Sequence, residues 1–122
     1  MAASTYDITI EQGADFSLGL TIKNGSGVAI DITGYTFAAQ LREKVHSTTV
    51  LATFTCTITN AAAGQMTMSL TNAQTSAINV SKYDSPEKRA TKCAYDLEMT
   101  RTDTSKVRLI EGVASVTPEV TR

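Results

Sequence analysis

The stretch QGADFSLGLTIKNGSGVAIDITGYTFAAQLR, residues 12–42, carries the sequence pattern that most clearly predicts the fold of this chain. Its first half alternates apolar with small or polar residues, the apolar ones being Phe16, Leu18, Leu20 and Ile22. Because successive side chains of a strand point to opposite faces, this alternation predicts a strand with one buried face. Residues 24–27 contain two glycines, which tolerate positive φ, and therefore predict a hairpin bend. A second alternation follows over residues 35–42 and predicts the next strand.

The same period of two recurs along the rest of the chain, with turn residues between the runs. It predicts a first strand and four later ones, over residues 5–10, 50–58, 65–70, 93–99 and 107–116, the last separated or bulged at Gly112. One helix of about two turns is expected after the capping-box sequence Thr71-Asn72-Ala73-Gln74, ending near Val80. The predicted fold class is all-β: an immunoglobulin-like antiparallel β-sandwich of seven or eight short strands with one short helix.

Length and charge limit the classes of function. The 122 residues predict a single domain over residues 1–122, since compact domains most often have about 100–150 residues. A formal net charge of −1 offers no basic surface, so we expect no nucleic-acid partner. No stretch approaches the roughly 20 apolar residues that cross a bilayer, and the N-terminus has no secretory pattern. We therefore expect no membrane association, and synthesis in a cytoplasm.

The residue types that carry catalysis or hold metals are sparse. His46 is the only histidine, and neither it nor the separated Cys56 and Cys93 has metal-site or triad spacing. Asp96 and Glu98 share one strand face about 6–7 Å apart, which is within the range of glycosidase carboxylates. We instead expect a solvated face balanced by a nearby cation: Lys92, Arg101 or Arg108. The sequence therefore predicts no enzyme, no cofactor and no metal, with both cysteines acting as buried apolar residues.

Function is expected at contact surfaces, and the best candidate is the loop over residues 82–89. This loop combines Tyr and Arg, which are enriched at interface hot spots, with charges of both signs. Its candidate protein-contact residues are Lys82, Tyr83, Glu87 and Arg89. Exposed strand edges are a second candidate, because Thr-rich outer strands with few lysines present backbone groups to a neighbouring chain.

Several blocks of the sequence, taken in order, are similar to small structural proteins of tailed phages. The blocks are residues 12–16 (QGADF), 29–35 (AIDITGY), 40–42 (QLR), 64–71 (GQMTMSLT), 95–98 (YDLE), 109–112 (LIEG) and 117–122 (TPEVTR). In this order they resemble the N-terminal domain of phage upper-baseplate and tail-fibre proteins. Each block has the character of a structural signature and contains no active-site motif.

The resemblance implies a non-enzymatic virion structural protein of the tail, baseplate or fibre-attachment region, made in a bacterial host cytoplasm. Its implied partners are other virion proteins, with the chain present as a homo-oligomer or in many copies. A capsid decoration protein that stabilises the phage head is an alternative. The alternative from another class is a carbohydrate-binding sandwich, or a hydrolase that uses Asp96 and Glu98. Its stacking groups would be the tyrosines, Tyr6, Tyr35, Tyr83 and Tyr95.

Overall fold

The computed structural model describes residues 4–78 and 91–117 of the chain. Within these residues there are eight strands and one short helix. In chain order they are β1 (Ser4–Thr5), β2 (Ile8–Glu11), β3 (Phe16–Thr21), β4 (Thr36–Arg42), β5 (Val50–Asn60), β6 (Gln65–Leu70), α1 (Asn72–Ser76), β7 (Thr91–Thr100) and β8 (Lys106–Thr117). The number of strands and the single helix confirm the sequence-based prediction.

The strands form one curled sheet that folds over into two packed layers. The larger layer has the order β1 and β2, then β8, β7, β4 and the first half of β5. The second half of β5 continues into a smaller layer, where it pairs with β6, which in turn pairs with β3. The order β3–β6–β5 against β4–β7–β8 is the B–E–D against C–F–G arrangement of immunoglobulin domains, and it confirms the predicted sandwich.

The sandwich is antiparallel except at one edge, which the sequence did not indicate. Both β1 and β2 pair with β8 in parallel, with Ile8 opposite Ala114 and Glu11 opposite Thr117. Parallel neighbours need a long connection, and here nearly the whole chain lies between the two strands. Because the N-terminal strands lie against β8, β3 forms the outer edge of the smaller layer.

The core lies between the two layers and is built from the predicted inward rows. In β3 the positions Phe16, Leu18 and Leu20 are half-buried, whereas the intervening residues are exposed. Deeper in the sandwich are the fully buried side chains Ile10, Ile32, Leu41, Met68, Leu97 and Val116. Each such side chain contributes roughly 1.5–3 kcal/mol of transfer free energy, so this set stabilises the fold more than any surface contact.

Two local predictions are corrected by the structure. The capping box at Thr71 and Gln74 is present, but α1 ends at Ser76 with Ala77 as its C-cap and is shorter than two turns. The last strand is not separated or bulged at Gly112, because β8 is continuous there. Its bulge lies at Leu109, where the register passes from Leu97–Ile110 to Glu98–Arg108.

Candidate functional site

Three strands of the larger layer carry a charged groove on their outer face. We call it the outer groove, and its polar side chains are Gln40 and Arg42 from β4, Asp96 and Glu98 from β7, and Arg108 and Glu111 from β8. It has a volume of about 320 Å³. Side chains alternate between the two faces of β7, so Tyr95, Leu97 and Met99 point into the core while Asp96 and Glu98 point outward into the groove.

Arg108 organises the charges of the outer groove. Its Nε lies 3.4 Å from Oδ2 of Asp96, and its guanidinium is also 3.9 Å from Oε2 of Glu111. Arg108 is thus the balancing cation among the three that were predicted. Partial burial, reinforced by the nearby charge of Glu98, raises the pKa of Asp96, and Arg108 opposes this. The Arg108 side chain is 51% exposed and that of Asp96 37%, so the pair contributes little stability and stays accessible to a partner.

A second arginine on the groove is held in place by its own contacts. Arg42 donates from Nη1 to the Ser47 carbonyl at 2.7 Å and from Nη2 to Oε1 of Gln40 at 3.0 Å. The first of these bonds ties β4 to the connection that carries His46, which is exposed as expected. The outer groove therefore presents two fixed cations beside three carboxylates, a surface suited to a polar partner that carries both signs of charge.

Residues of the QGADF block, which precede β3, are hydrogen-bonded to α1 and to a residue that follows it. The fully buried hydroxyl of Thr75 accepts from the Gly13 amide at 3.0 Å and donates to the Ala14 carbonyl at 2.9 Å. The Asp15 carboxylate accepts from the Asn72 amide at 2.7 Å, and Gln12 Nε2 donates to a carbonyl after the helix at 3.1 Å. We call this set the loop–helix clamp, and its role is structural.

The N-terminal strands are fastened to the sandwich around the carbonyl of Tyr6. The buried hydroxyl of Tyr95 donates to this carbonyl. A Cβ atom at Gly112 would lie 2.3 Å from the same oxygen, which explains why glycine stands there. One residue further on, the Val113 amide donates to Oδ1 of Asp7 at 3.0 Å. Burial raises the pKa of Tyr95 to about 12, and the nearby Asp7 carboxylate and Tyr6 shift it in the same direction.

The AIDITGY block closes the turn between the two layers. Asp31 accepts from the Thr33 amide at 2.9 Å, and Ile32 is fully buried while its amide donates to the Ala61 carbonyl. Gly64 opens the GQMTMSLT block with a φ of +70°, and a Cβ there would lie 2.5 Å from the Ile30 carbonyl oxygen. The QGADF, AIDITGY and GQMTMSLT blocks therefore serve turns, clamps and close backbone approaches. The QLR, YDLE and LIEG blocks instead supply polar side chains of the outer groove, namely Gln40, Arg42, Asp96, Glu98 and Glu111.

The predicted contact residues Lys82, Tyr83, Glu87 and Arg89 lie outside the described residues. The outer groove was not predicted as a contact surface, although the alternation of charged residues with core residues in β7 was a signal for it. Thr75, the centre of the loop–helix clamp, was missed because a threonine in a short helix carries no signal of a long-range partner.

The remaining candidates have simple surroundings. Cys93 is buried and Cys56 half-buried, both as free thiols, and burial raises the pKa of each. In residues 4–78 and 91–117, His, Cys, Asp and Glu form no group of three that could hold a metal ion. The described part of the chain has no helix long and apolar enough to span a membrane.

Comparison with known proteins places this fold in a family. No curated protein matches the chain. A model of the LtfC-like, beta-sandwich domain matches residues 2–117, which includes every described strand and the helix. The chain belongs to the LtfC-like family of β-sandwich domains.

Proposed function

We propose that this protein is a non-enzymatic structural component of a tailed-phage particle, located in the tail or its fibre-attachment region. The observation that carries the proposal is the family match over residues 2–117, since LtfC is a phage tail fibre-related protein. The sequence blocks quoted above add support, because they resemble small tail and baseplate proteins over nearly the same length of chain.

The geometry of the described residues suits a role in protein–protein assembly. The QGADF, AIDITGY and GQMTMSLT blocks build the scaffold through the loop–helix clamp and the tight turns, and Tyr95 and Gly112 add the contacts with the Tyr6 carbonyl. The scaffold leaves exposed the outer groove, whose arginines and carboxylates are available to complementary charges. Rigid elements that hold such a surface favour specific docking, because little side-chain order is lost on binding.

The proposal is tested on particles purified by density gradient from cells that carry the gene. Mass spectrometry is expected to find the protein in the particles at a fixed ratio to a tail protein. Deletion of the gene is expected to leave filled heads but to abolish complete tails or fibres, and a wild-type copy supplied in trans is expected to restore them. Particles that are complete and infectious without the protein would overturn the proposal. Recovery with separated heads instead of tails would favour capsid decoration.

A further inference from the structure

The outer edge of the smaller layer is β3, which pairs with β6 on one side and has no described strand on the other. The pairing of β3 with β6 has Phe16 opposite Leu70 and Thr21 opposite Gln65. Just beyond it, the Ile22 amide donates to the Gly64 carbonyl at 2.7 Å. Since bonding direction alternates along an antiparallel strand, the even-numbered residues from 16 to 22 bond towards β6. The backbone N–H and C=O groups of Ser17, Gly19 and Thr21 therefore point away from the sheet, and no described strand lies there.

This edge lacks the features by which soluble proteins block strand pairing. Residues 16–21 contain no charged residue and no proline. Gly19, at the middle of the edge, has no heavy atom within 4 Å of the position its Cβ would take. The edge of the other layer beside β8, in contrast, is formed by β1 and β2, which are two and four residues long, and short edge strands are themselves protected.

The edge is complementary to itself in hydrogen bonding and in charge. If two copies pair antiparallel about Gly19, residues equally distant from Gly19 lie opposite each other. The opposed pairs are then Ser17 with Thr21, Leu18 with Leu20, Phe16 with Ile22, and Asp15 with Lys23. The outward backbone groups of the odd-numbered residues meet those of the second copy, as a hydrogen-bonded ladder requires. The exposed Asp15 and Lys23 give an opposite-charge pair twice, one at each end of the ladder.

The same register brings apolar residues together on the inner face. A crevice of about 360 Å³ lies between the end of β3 and β8, and its apolar lining is Leu20, Ile22, Leu97, Leu109 and Ile110. Phe16 of the second copy lies opposite Ile22, at the border of this crevice. Phe16, Leu18 and Leu20 are only half-buried in one copy, so pairing removes more of their surface from water.

We propose that β3 pairs antiparallel with β3 of a second copy of this chain, centred on Gly19, to form a continuous sheet of two smaller layers. This pairing names a partner and an edge for the proposed assembly role, and its biological meaning rests on that role. Backbone bonds supply the affinity, and the Asp15–Lys23 pairs fix the register and exclude a parallel arrangement.

The first experiment measures mass by light scattering and sedimentation from low to high micromolar protein. We expect the mass of the wild type to double as the concentration rises. Gly19→Lys is expected to keep the mass of one chain, because it places two ammonium groups opposite each other across the two-fold axis. Thr57→Lys is the matched control, because Thr57 is exposed on β5 of the same layer, and it is expected to double like the wild type. Unchanged circular dichroism in both variants shows that the fold is intact.

The register is tested by oxidation of variants in which the two native free cysteines, Cys56 and Cys93, are replaced by alanine and one new cysteine is introduced. In a hydrogen-bonded pair the two Cα atoms are about 5.5 Å apart, within disulfide range, so Gly19→Cys is expected to cross-link to its own copy. Ser17→Cys is the control, since two copies of residue 17 lie about 13 Å apart in this register and cannot be bridged. Mixing Ser17→Cys with Thr21→Cys is expected to restore cross-linking.

Three results would overturn the inference: a wild-type mass of one chain at every concentration, a dimer that persists in Gly19→Lys, or equal cross-linking of Ser17→Cys and Gly19→Cys. These results are distinguishable from a failure of the proposed function. A chain that stays monomeric in solution yet is found in tails refutes the edge pairing alone. A dimer with the expected register that is absent from particles refutes the tail role alone.

Discussion

Removing one hydroxyl at the centre of the loop–helix clamp tests the scaffold most sharply. Thr75→Val keeps the shape of the side chain but removes the acceptor of the Gly13 amide and the donor to the Ala14 carbonyl. Thr75 is fully buried, so water cannot replace these bonds without opening the site. A buried polar group left without a partner costs about 1–3 kcal/mol, and we expect the free energy of unfolding to fall by about 2 kcal/mol.

Thermal and denaturant unfolding measure this loss. With an unfolding entropy of about 2.1 cal/mol/K per residue, a loss of about 2 kcal/mol lowers the Tm of this chain by about 8 °C. Thr75→Ser is the control that keeps the hydroxyl and removes a methyl group, at a cost of about 1 kcal/mol. Thr57→Val repeats the same change on the exposed face of β5 and is expected to be near neutral.

Hydrogen exchange separates a lost bond from a packing defect. The Gly13 amide is expected to exchange faster in Thr75→Val than in Thr75→Ser, because only the valine variant lacks its acceptor. A Thr75→Val protein as stable as wild type, with a protected Gly13 amide, would refute the assignment of a structural clamp to this loop.

Three further outcomes are expected from other parts of the fold. Gly112→Ala should lower the free energy of unfolding, measured by chemical denaturation, by about 1–3 kcal/mol, since its Cβ would lie 2.3 Å from the Tyr6 carbonyl oxygen. Gly19→Ala places its Cβ in open space and should lower the free energy of unfolding much less. Equal losses in the two variants would contradict this explanation. The raised pKa of Tyr95 adds stability that is complete below about pH 10 and is lost as pH rises towards 12, so alkaline melting of Tyr95→Phe should show a smaller decline than wild type. Asp96→Asn should change the denaturant midpoint little, by less than about 1 kcal/mol in stability, because its pair with Arg108 is exposed; a large loss would show that the outer groove is structural.

The sequence predicted the features that depend on local patterns. Alternation in residues 16–22 and 93–99 located the inner and outer faces of β3 and β7, because the period of a strand is a property of the backbone itself. The capping box at Thr71 was equally visible, since its two hydrogen bonds join residues three apart. Asp96 and Glu98 were expected on a solvated face balanced by a cation, and Arg108 is that cation.

The features that were missed depend on contacts between distant parts of the chain. Parallel pairing of β2 with β8 joins residues more than a hundred positions apart, and no turn residue marks it. The bulge at Leu109 arises from the register of β8 on β7, while Gly112 was a misleading signal because its small size serves the Tyr6 carbonyl. The open edge at β3 also depends on this long-range pairing, because the N-terminal strands pair with β8 and not with β3.

Cryo-electron microscopy of intact particles tests the assembly role most directly. We expect density for this sandwich on the tail or at the fibre attachment, in a copy number that matches the local symmetry axis. Within that density, two copies are expected to meet through β3 with their Gly19 residues adjacent. Complete particles in which no density at the tail fits the sandwich would show that the protein is not a structural component of the tail.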